Sequence, residues 1–466
     1  MDTKARAREA TARLGEWVAG LGAADVPEPV AARLSLVLLD TLGVTALGAA
    51  LDEQRALRAA WNAPAGPAPL IGGGRSATVD AAAWLNANAL VALELDEGNK
   101  YAKGHPAAHG FPAVLALAAE QDASGADTAA ALLAAYEVAA RFGRAARLRA
   151  GAHPHGNWGV AGAAAGCARL LGLDADATAA AIDAGAGLPI AGHFASATDG
   201  NPVRNAWMGA SNVSGLAAAR MAAAGIARNT GTAALTLGGL LGDLDPGELT
   251  GGLGERWDVT RGYFKRHASC SFTHPAADAA LDLRGDLDPS RITAVLVETH
   301  ALGAGLASAE WDNRLSAMFS TPFAVAAALL DGEVGPGASG PGRIDDPALR
   351  GLARRVRVVA ADDLTARLPD ERPARVTVEL DDGTAIVREA PNPVGDADHR
   401  PLDERDVVRL LHRWLPGGSA LIDRAAGFAR DLPTLPRVGA PLRGLAGAAD
   451  GDENRSEEMS GCAPSR

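Results

Sequence analysis

Seven of the chain's ten histidines lie between His105 and His274, in glycine- and alanine-rich sequence with little other polar chemistry. His105 with His109 and His153 with His155 form two short pairs, followed by Lys265-Arg266-His267, then Cys270 and His274. Imidazole titrates near neutral pH, so such a cluster suits proton transfer or metal ligation. Glu94, Asp96 and Glu97 come just before His105. A carboxylate beside an imidazole orients it and raises its basicity, although an exposed helix end would use the same acids. His105 and His109 have the spacing that sets two ligands on one helix face, yet no Glu follows His105, and Pro106 reads as a helix start. Proton transfer, metal ligation and a structural role all stay open for this pair.

Three further segments carry candidate chemistry. The glycine-rich run from His153 to Gly159 opens a helix and offers free N–H groups to an anion. Arg204 and Asn205 follow a polar loop, where a guanidinium suits bidentate clamping of a carboxylate and a surface salt bridge fits equally. The only lysines are Lys4, Lys100, Lys103 and Lys265; codon bias explains that scarcity, and a lysine kept in such a background suits chemistry. Four distant segments of this kind converging on one pocket would make an enzyme rather than a scaffold.

The elements that must position these residues change character along the chain. Helical spacing runs through Arg8–Leu21, from Pro27 to about Ala49, Thr78–Leu95, Pro112–Glu120, Thr128–Leu148, Val160–Leu171, Asp174–Ala184 and Ala206–Ala224. On this reading the three acids close the apolar helix that ends at Leu95. Beyond about Tyr263, alternating patterns at Arg291–Glu298 and Arg355–Ala360 read as strands, and Ala374–Leu380 with Thr384–Arg388 reads as a hairpin. Helices are expected at His274–Leu283, Ser316–Leu330, Asp403–Leu415 and Ser419–Phe428. The fold class expected is mainly α: an all-α domain over 1–262 with 400–440 packing back on it, an α+β lid domain over 263–399, and a disordered acidic tail over 447–466.

Composition narrows the function classes. The chain has 466 residues, too many for one ordinary core. A hydrophobic share of 48% and a mean hydropathy of +0.02 are those of a globular protein. Aromatic residues make up only 4%, so alanine, leucine and valine must build the core. A net charge of −12 with no basic stripe argues against a nucleic-acid partner. The apolar stretch Val30 to Leu51 contains Arg33 and Asp40 and reads as a buried helix rather than a membrane span. Cys167, Cys270 and Cys462 are too few and too scattered for a disulfide framework, and the N-terminus lacks a signal-type apolar core, so a cytoplasmic location is expected.

Taken in order, these segments resemble the MmgE/PrpD family of 2-methylcitrate dehydratases and cis-aconitate decarboxylases, from about residue 8 to about 430. The anchors are Asn86 through Asp96-Glu97, His105 to Pro112, His153 to Gly159, Arg204 to Gly209, Lys265 to Asp278, and Ser320 to Gly332. The resemblance implies a large helical domain with a smaller α+β lid, a homodimer, and no required cofactor or metal. It maps catalytic positions onto Glu94, Asp96, His105, His153 and Lys265. It maps substrate-binding positions onto Arg204, Asn205, Cys270, His274 and Phe323. Arg204, Cys270 and Phe323 stand where the decarboxylases place a lysine, a histidine and a tyrosine, which argues against cis-aconitate decarboxylation. The expected activity is that of a hydro-lyase: proton abstraction beside a carboxylate of a small di- or tricarboxylate, then loss of water. An epimerase or isomerase using the same proton abstraction is the alternative; a decarboxylase, a metal-dependent hydrolase on the four paired histidines and an inactive binding protein rank lower.

Overall fold

A computed structural model describes residues 2–22, 25–285 and 287–447. The proposed tail, with Cys462, lies outside the described residues except for Gly447. The fold is mainly α. Helices span Thr3–Gly20, Glu28–Ala49, Val79–Leu90, Pro106–Gln121, Gly125–Ala145, Val160–Leu170, Ala175–Ala186 and Val203–Ala223. Their contact faces are mostly alanine and glycine, so axes approach closely, and each buried CH₂-sized group contributes about 0.8 kcal/mol. Helix Glu28–Ala49 is long and apolar enough to cross a membrane, but its most apolar stretch is 72% buried inside this core. Val407, Leu411, Ile422 and Phe428, from helices Glu404–Trp414 and Ser419–Asp431, join the same core.

A second core forms on a four-stranded sheet with strand order Val356–Ala360, Ile292–Thr299, Ala374–Leu380, Ala385–Ala390. The first pair is parallel and the others antiparallel, with Val297 opposite Val376 and Val295 opposite Val378. Alternation along Ala374–Leu380 points every second side chain at helix His274–Arg284, which itself packs on helix Thr321–Asp331.

Several boundaries depart from the sequence expectation. The first 262 residues are not wholly helical: Ala68–Pro69 pairs with Ser76–Ala77, and Ala146–Leu148 pairs with Gly242–Leu244. The latter pairing ends the helix begun at Gly125 three residues before Leu148. The helix expected through Leu95 stops at Leu90, so the acids sit in irregular backbone, and Glu94 adopts a left-handed φ of 51°. The helix expected over Ser316–Leu330 breaks in two, because Ser320 caps Phe323 N–H and Pro322 opens a new helix.

Candidate active site

His105 is the N-cap residue of helix Pro106–Gln121, but its side chain does not cap. Glu97 Oε1 does that work, accepting Ala107 N–H at 2.9 Å at the positive end of the helix dipole. The imidazole is thereby left for other contacts. Its Nδ1 lies 2.7 Å from the Glu97 carbonyl oxygen and 3.0 Å from Asp96 Oδ2. Both neighbours are acceptors, so Nδ1 carries a proton, and it is Nε2 that holds the lone pair whenever the ring is neutral. His109, by contrast, lies within the helix and turns into the core, its Nδ1 on Ser211 Oγ at 3.0 Å and its ring on Trp158. Gly159 makes room for it: a Cβ there would stand 2.1 Å from the His109 ring. Burial pushes His109 down to about 3.

The Lys265 segment reaches the acids through a short backbone ladder. Gly98 N–H donates to Tyr263 O at 3.0 Å, and Tyr263 N–H donates to Gly98 O at 2.7 Å. A Cβ on Gly98 would meet the Tyr263 hydroxyl at 2.3 Å, so this approach needs glycine. Lys265 Nζ then donates to Glu94 O at 3.0 Å and to Glu94 Oε2 at 3.4 Å, and stands 3.9 Å from Asp96. Arg204, in the first turn of helix Val203–Ala223, ion-pairs with Glu94 and also donates to Val91 O, Asn205 Oδ1 and His155 Nε2. Burial alone would raise Glu94 and Asp96, but Arg204 and Lys265 at Glu94, and His105 and Lys265 at Asp96, outweigh it and hold both carboxyls below their ordinary values. Burial would lower Lys265, and the two carboxylates reverse that.

His153 stacks on Phe194 with ring centroids 5.3 Å apart, and its Nδ1 accepts the His155 N–H at 3.1 Å. The neutral ring therefore presents Nε2–H as a donor. Burial first, then Arg204, keeps both His153 and His155 well below the ordinary imidazole value. His155 lies between the others, its centroid 5.3 Å from that of His105 and 4.4 Å from that of His153.

Glu94, His105, His153, Arg204 and Cys270 line one cavity of about 420 Å³, within the range of small-molecule sites. Phe194, Phe319, Trp158 and Arg372 share its wall. Asp96 and Lys265 stand behind Glu94 and His105, and Asn205 behind Arg204. Burial pushes the Cys270 thiol up to about 11, so it is protonated near neutral pH. Two of the sequence candidates are elsewhere. His274 holds Ser269 O at 3.0 Å against His267, and Phe323 packs on Trp311 inside the second core. Phe319, on the other side of the break at Ser320, lines the cavity instead of Phe323. Among the described residues no three His, Cys, Asp or Glu side chains are placed to hold one metal ion. Sequence reading passed over Arg372, Phe194 and Phe319 as site residues, and weighed His155 only as one of the paired histidines.

Asp40 and Glu97 form a second buried acidic pair, Asp40 Oδ2 accepting Glu97 N–H at 2.9 Å. Burial raises each to about 8. Between about pH 4 and pH 8 the folded state keeps these protons while the unfolded chain releases them, so stability falls as pH rises through that window. Glu94 and Asp96 act oppositely, losing their contribution only as pH falls below the ordinary carboxylate range. Thermal melting is expected to drop from pH 6 to pH 8 in the natural protein and to drop less in Asp40→Asn. Parallel curves would count against the buried pair.

The MmgE/PrpD N-terminal domain model matches residues 12–238, and the MmgE/PrpD C-terminal domain model matches residues 267–415. A cis-aconitate decarboxylase of Aspergillus terreus is 24% identical over 449 residues, covering 89% of this chain and 90% of that protein. The cis-aconitate decarboxylase-like protein oryM of Aspergillus oryzae is 27% identical over 451 residues, covering 89% and 91%.

Proposed function

The chain belongs to the MmgE/PrpD family, and from that membership we propose that it is a dehydratase-type lyase acting on a small di- or tricarboxylate. The observation that carries this is the fixed tautomer of His105, which presents a basic Nε2 to the cavity with Asp96 behind it. In the proposed step Nε2 takes the proton on the carbon next to a carboxylate, and the Asp96 carboxylate stabilises the imidazolium that forms. His153, neutral and donating through Nε2–H, faces the charge that develops on the carboxylate oxygens, as an oxyanion donor does. The C–O bond then breaks. The departing hydroxide collects the proton held on His105, and water leaves. This places both proton transfers on His105, since His153 stores no ionisable proton near neutral pH. Segment 263–399 is read as the lid of this site.

Loss of CO₂ is a second reading, favoured by the names of the two relatives. Epimerisation uses the same first step. Incubating the protein in D₂O with citrate, 2-methylcitrate and cis-aconitate, followed by NMR and ultraviolet absorbance, separates the three. Water loss is expected to give an unsaturated product with every carboxyl retained. A product short of one carboxyl would replace the proposal with decarboxylation, and deuterium uptake with no net loss would replace it with epimerisation.

The metal-hydrolase reading fits the donor set poorly. His155 Nε2 already receives Arg204, whose positive charge repels a cation, and His109 Nδ1 is engaged by Ser211. Dialysis against EDTA is expected to leave turnover unchanged, and loss restored by Zn²⁺ would reopen that reading.

A further inference from the structure

We propose that Arg372 is the anchor for a substrate carboxylate, the task the sequence suggested for Arg204. The inference rests on the lyase reading above, since it assumes a polycarboxylate in the same cavity.

Six Lys or Arg side chains line the cavity, and three of them, Lys103, Arg147 and Arg149, are exposed to solvent. Arg204 is paired with Glu94, and Lys100 with Asp396 at 3.0 Å and Asp398 at 2.9 Å. Lys265, behind the wall, is paired with Glu94 and Asp96. Arg204, Lys100 and Lys265 are thus buried and already neutralised, and none has an unmatched charge to offer. Arg372 differs. It is only 7% exposed, it lines the cavity, and among the described residues no carboxylate stands within 4.0 Å of its guanidinium. Its hydrogen bonds go to neutral acceptors: NH1 to Ser271 Oγ at 3.3 Å and NH2 to Lys100 O at 3.2 Å. A buried cation without a counter-ion is costly, and it is matched best by an anion that arrives from outside.

Its setting preorganises it for that anion. The guanidinium carbon lies 5.5 Å from the Tyr263 ring centre and 5.4 Å from that of Phe272, so two aromatic rings flank the plane, and the Tyr263 hydroxyl is a further neutral partner of the guanidinium. The backbone fixes the base of the side chain, with Arg372 N–H on Asn392 Oδ1 at 2.9 Å. A planar fork held this way matches a carboxylate bidentately. Arg372 comes from the segment entering strand Ala374–Leu380, whereas His105 and His153 come from the helical part of the chain. A carboxylate on Arg372 and a reacting carbon at His105 would therefore join the two parts of the chain through the substrate. Arg204 then acts on Glu94 and on the two histidines rather than on the substrate.

The test uses the full chain and tricarballylate (propane-1,2,3-tricarboxylate), which carries three carboxylates and no leaving hydroxyl. Binding is measured by isothermal titration calorimetry and by thermal melting with and without the compound. Arg372→Gln is expected to weaken tricarballylate binding at least tenfold, and Arg372→Lys, which keeps the charge but not the fork, to weaken it less. Without ligand, Arg372→Gln is expected to melt at or above the natural protein, because an unmatched buried charge has been removed. A ligand-induced rise in melting temperature is expected in the natural protein and not in Arg372→Gln. Equal binding by the natural protein and both variants overturns this inference and leaves the lyase reading intact. A ligand-free Arg372→Gln that melts well below the natural protein, or fails to fold, also overturns it, by making Arg372 structural. Failure of the natural protein to bind tricarballylate or to turn over any polycarboxylate overturns the lyase reading itself.

Discussion

Replacing His105 by Ala is expected to reduce turnover by roughly 10²–10⁴-fold, the range typical for a positioned general base, in a protein that still folds. Its orientation explains the size of the effect. Two acceptors, the Glu97 carbonyl and the Asp96 carboxylate, face Nδ1, so the ring cannot present Nδ1 as its base without losing both. The helix that begins at Pro106 keeps its cap when the ring is removed, because Glu97 rather than His105 caps it, while Asp96 loses a partner and retains Lys265. His105→Gln keeps a donor for the Glu97 carbonyl but has no basic nitrogen, so it is expected to be as inactive as the Ala variant. His153→Gln retains an N–H donor and is expected to keep more activity than His105→Gln. Steady-state rates on whichever polycarboxylate the substrate screen identifies decide the matter. If His153→Gln proves the more damaging of the two, the assigned roles are reversed.

How much of this was legible beforehand depends on the range of the interaction. Local signals read well. The helix expected over Asp174–Ala184 forms as Ala175–Ala186 with Asp174 as its cap, and the alternation at Arg291–Glu298 and Ala374–Leu380 falls in paired strands. The segments bearing Glu94, His105, His153, Arg204 and Cys270 could be picked out because each concentrates polar residues in apolar sequence, and the cavity gathers them. What spacing misjudged was phase. His105 and His109 are four apart, but His105 sits outside the helix as its cap, so the two rings take different directions. Phe323 and Phe319 lie on either side of the break at Ser320, and Phe319 is the one that lines the cavity. Arg372 was illegible because nothing near it in sequence marks it. Its significance comes from a carboxylate that is absent around it, and only the assembled wall reveals that.

Glu94 carries the heaviest structural load in the site, and Glu94→Gln is expected to lower stability by about 3–5 kcal/mol, as removal of one member of a buried ionic cluster does. The carboxylate is 2% exposed and neutralises Arg204 and Lys265 together, so its loss leaves two buried cations facing each other across a neutral amide. Lys265 retains Asp96 at 3.9 Å, which softens the loss without cancelling it. Backbone geometry adds a second contribution of opposite sign. A left-handed φ of 51° costs a non-glycine residue on the order of 1–2 kcal/mol. Glu94→Gly would release that strain while deleting the charge, and it too is expected to be destabilised, because the unpaired cations outweigh the strain released. Removing one cation together with the acid should restore part of the loss. Glu94→Gln with Lys265→Met is therefore expected to be less destabilised than the sum of the two single variants, with a coupling of about 0.5–3 kcal/mol. Urea denaturation of the four proteins measures this directly. Strict additivity would mean that Glu94 and Lys265 are neighbours without being energetic partners, and the charge balance assigned to the cavity floor would have to be redrawn.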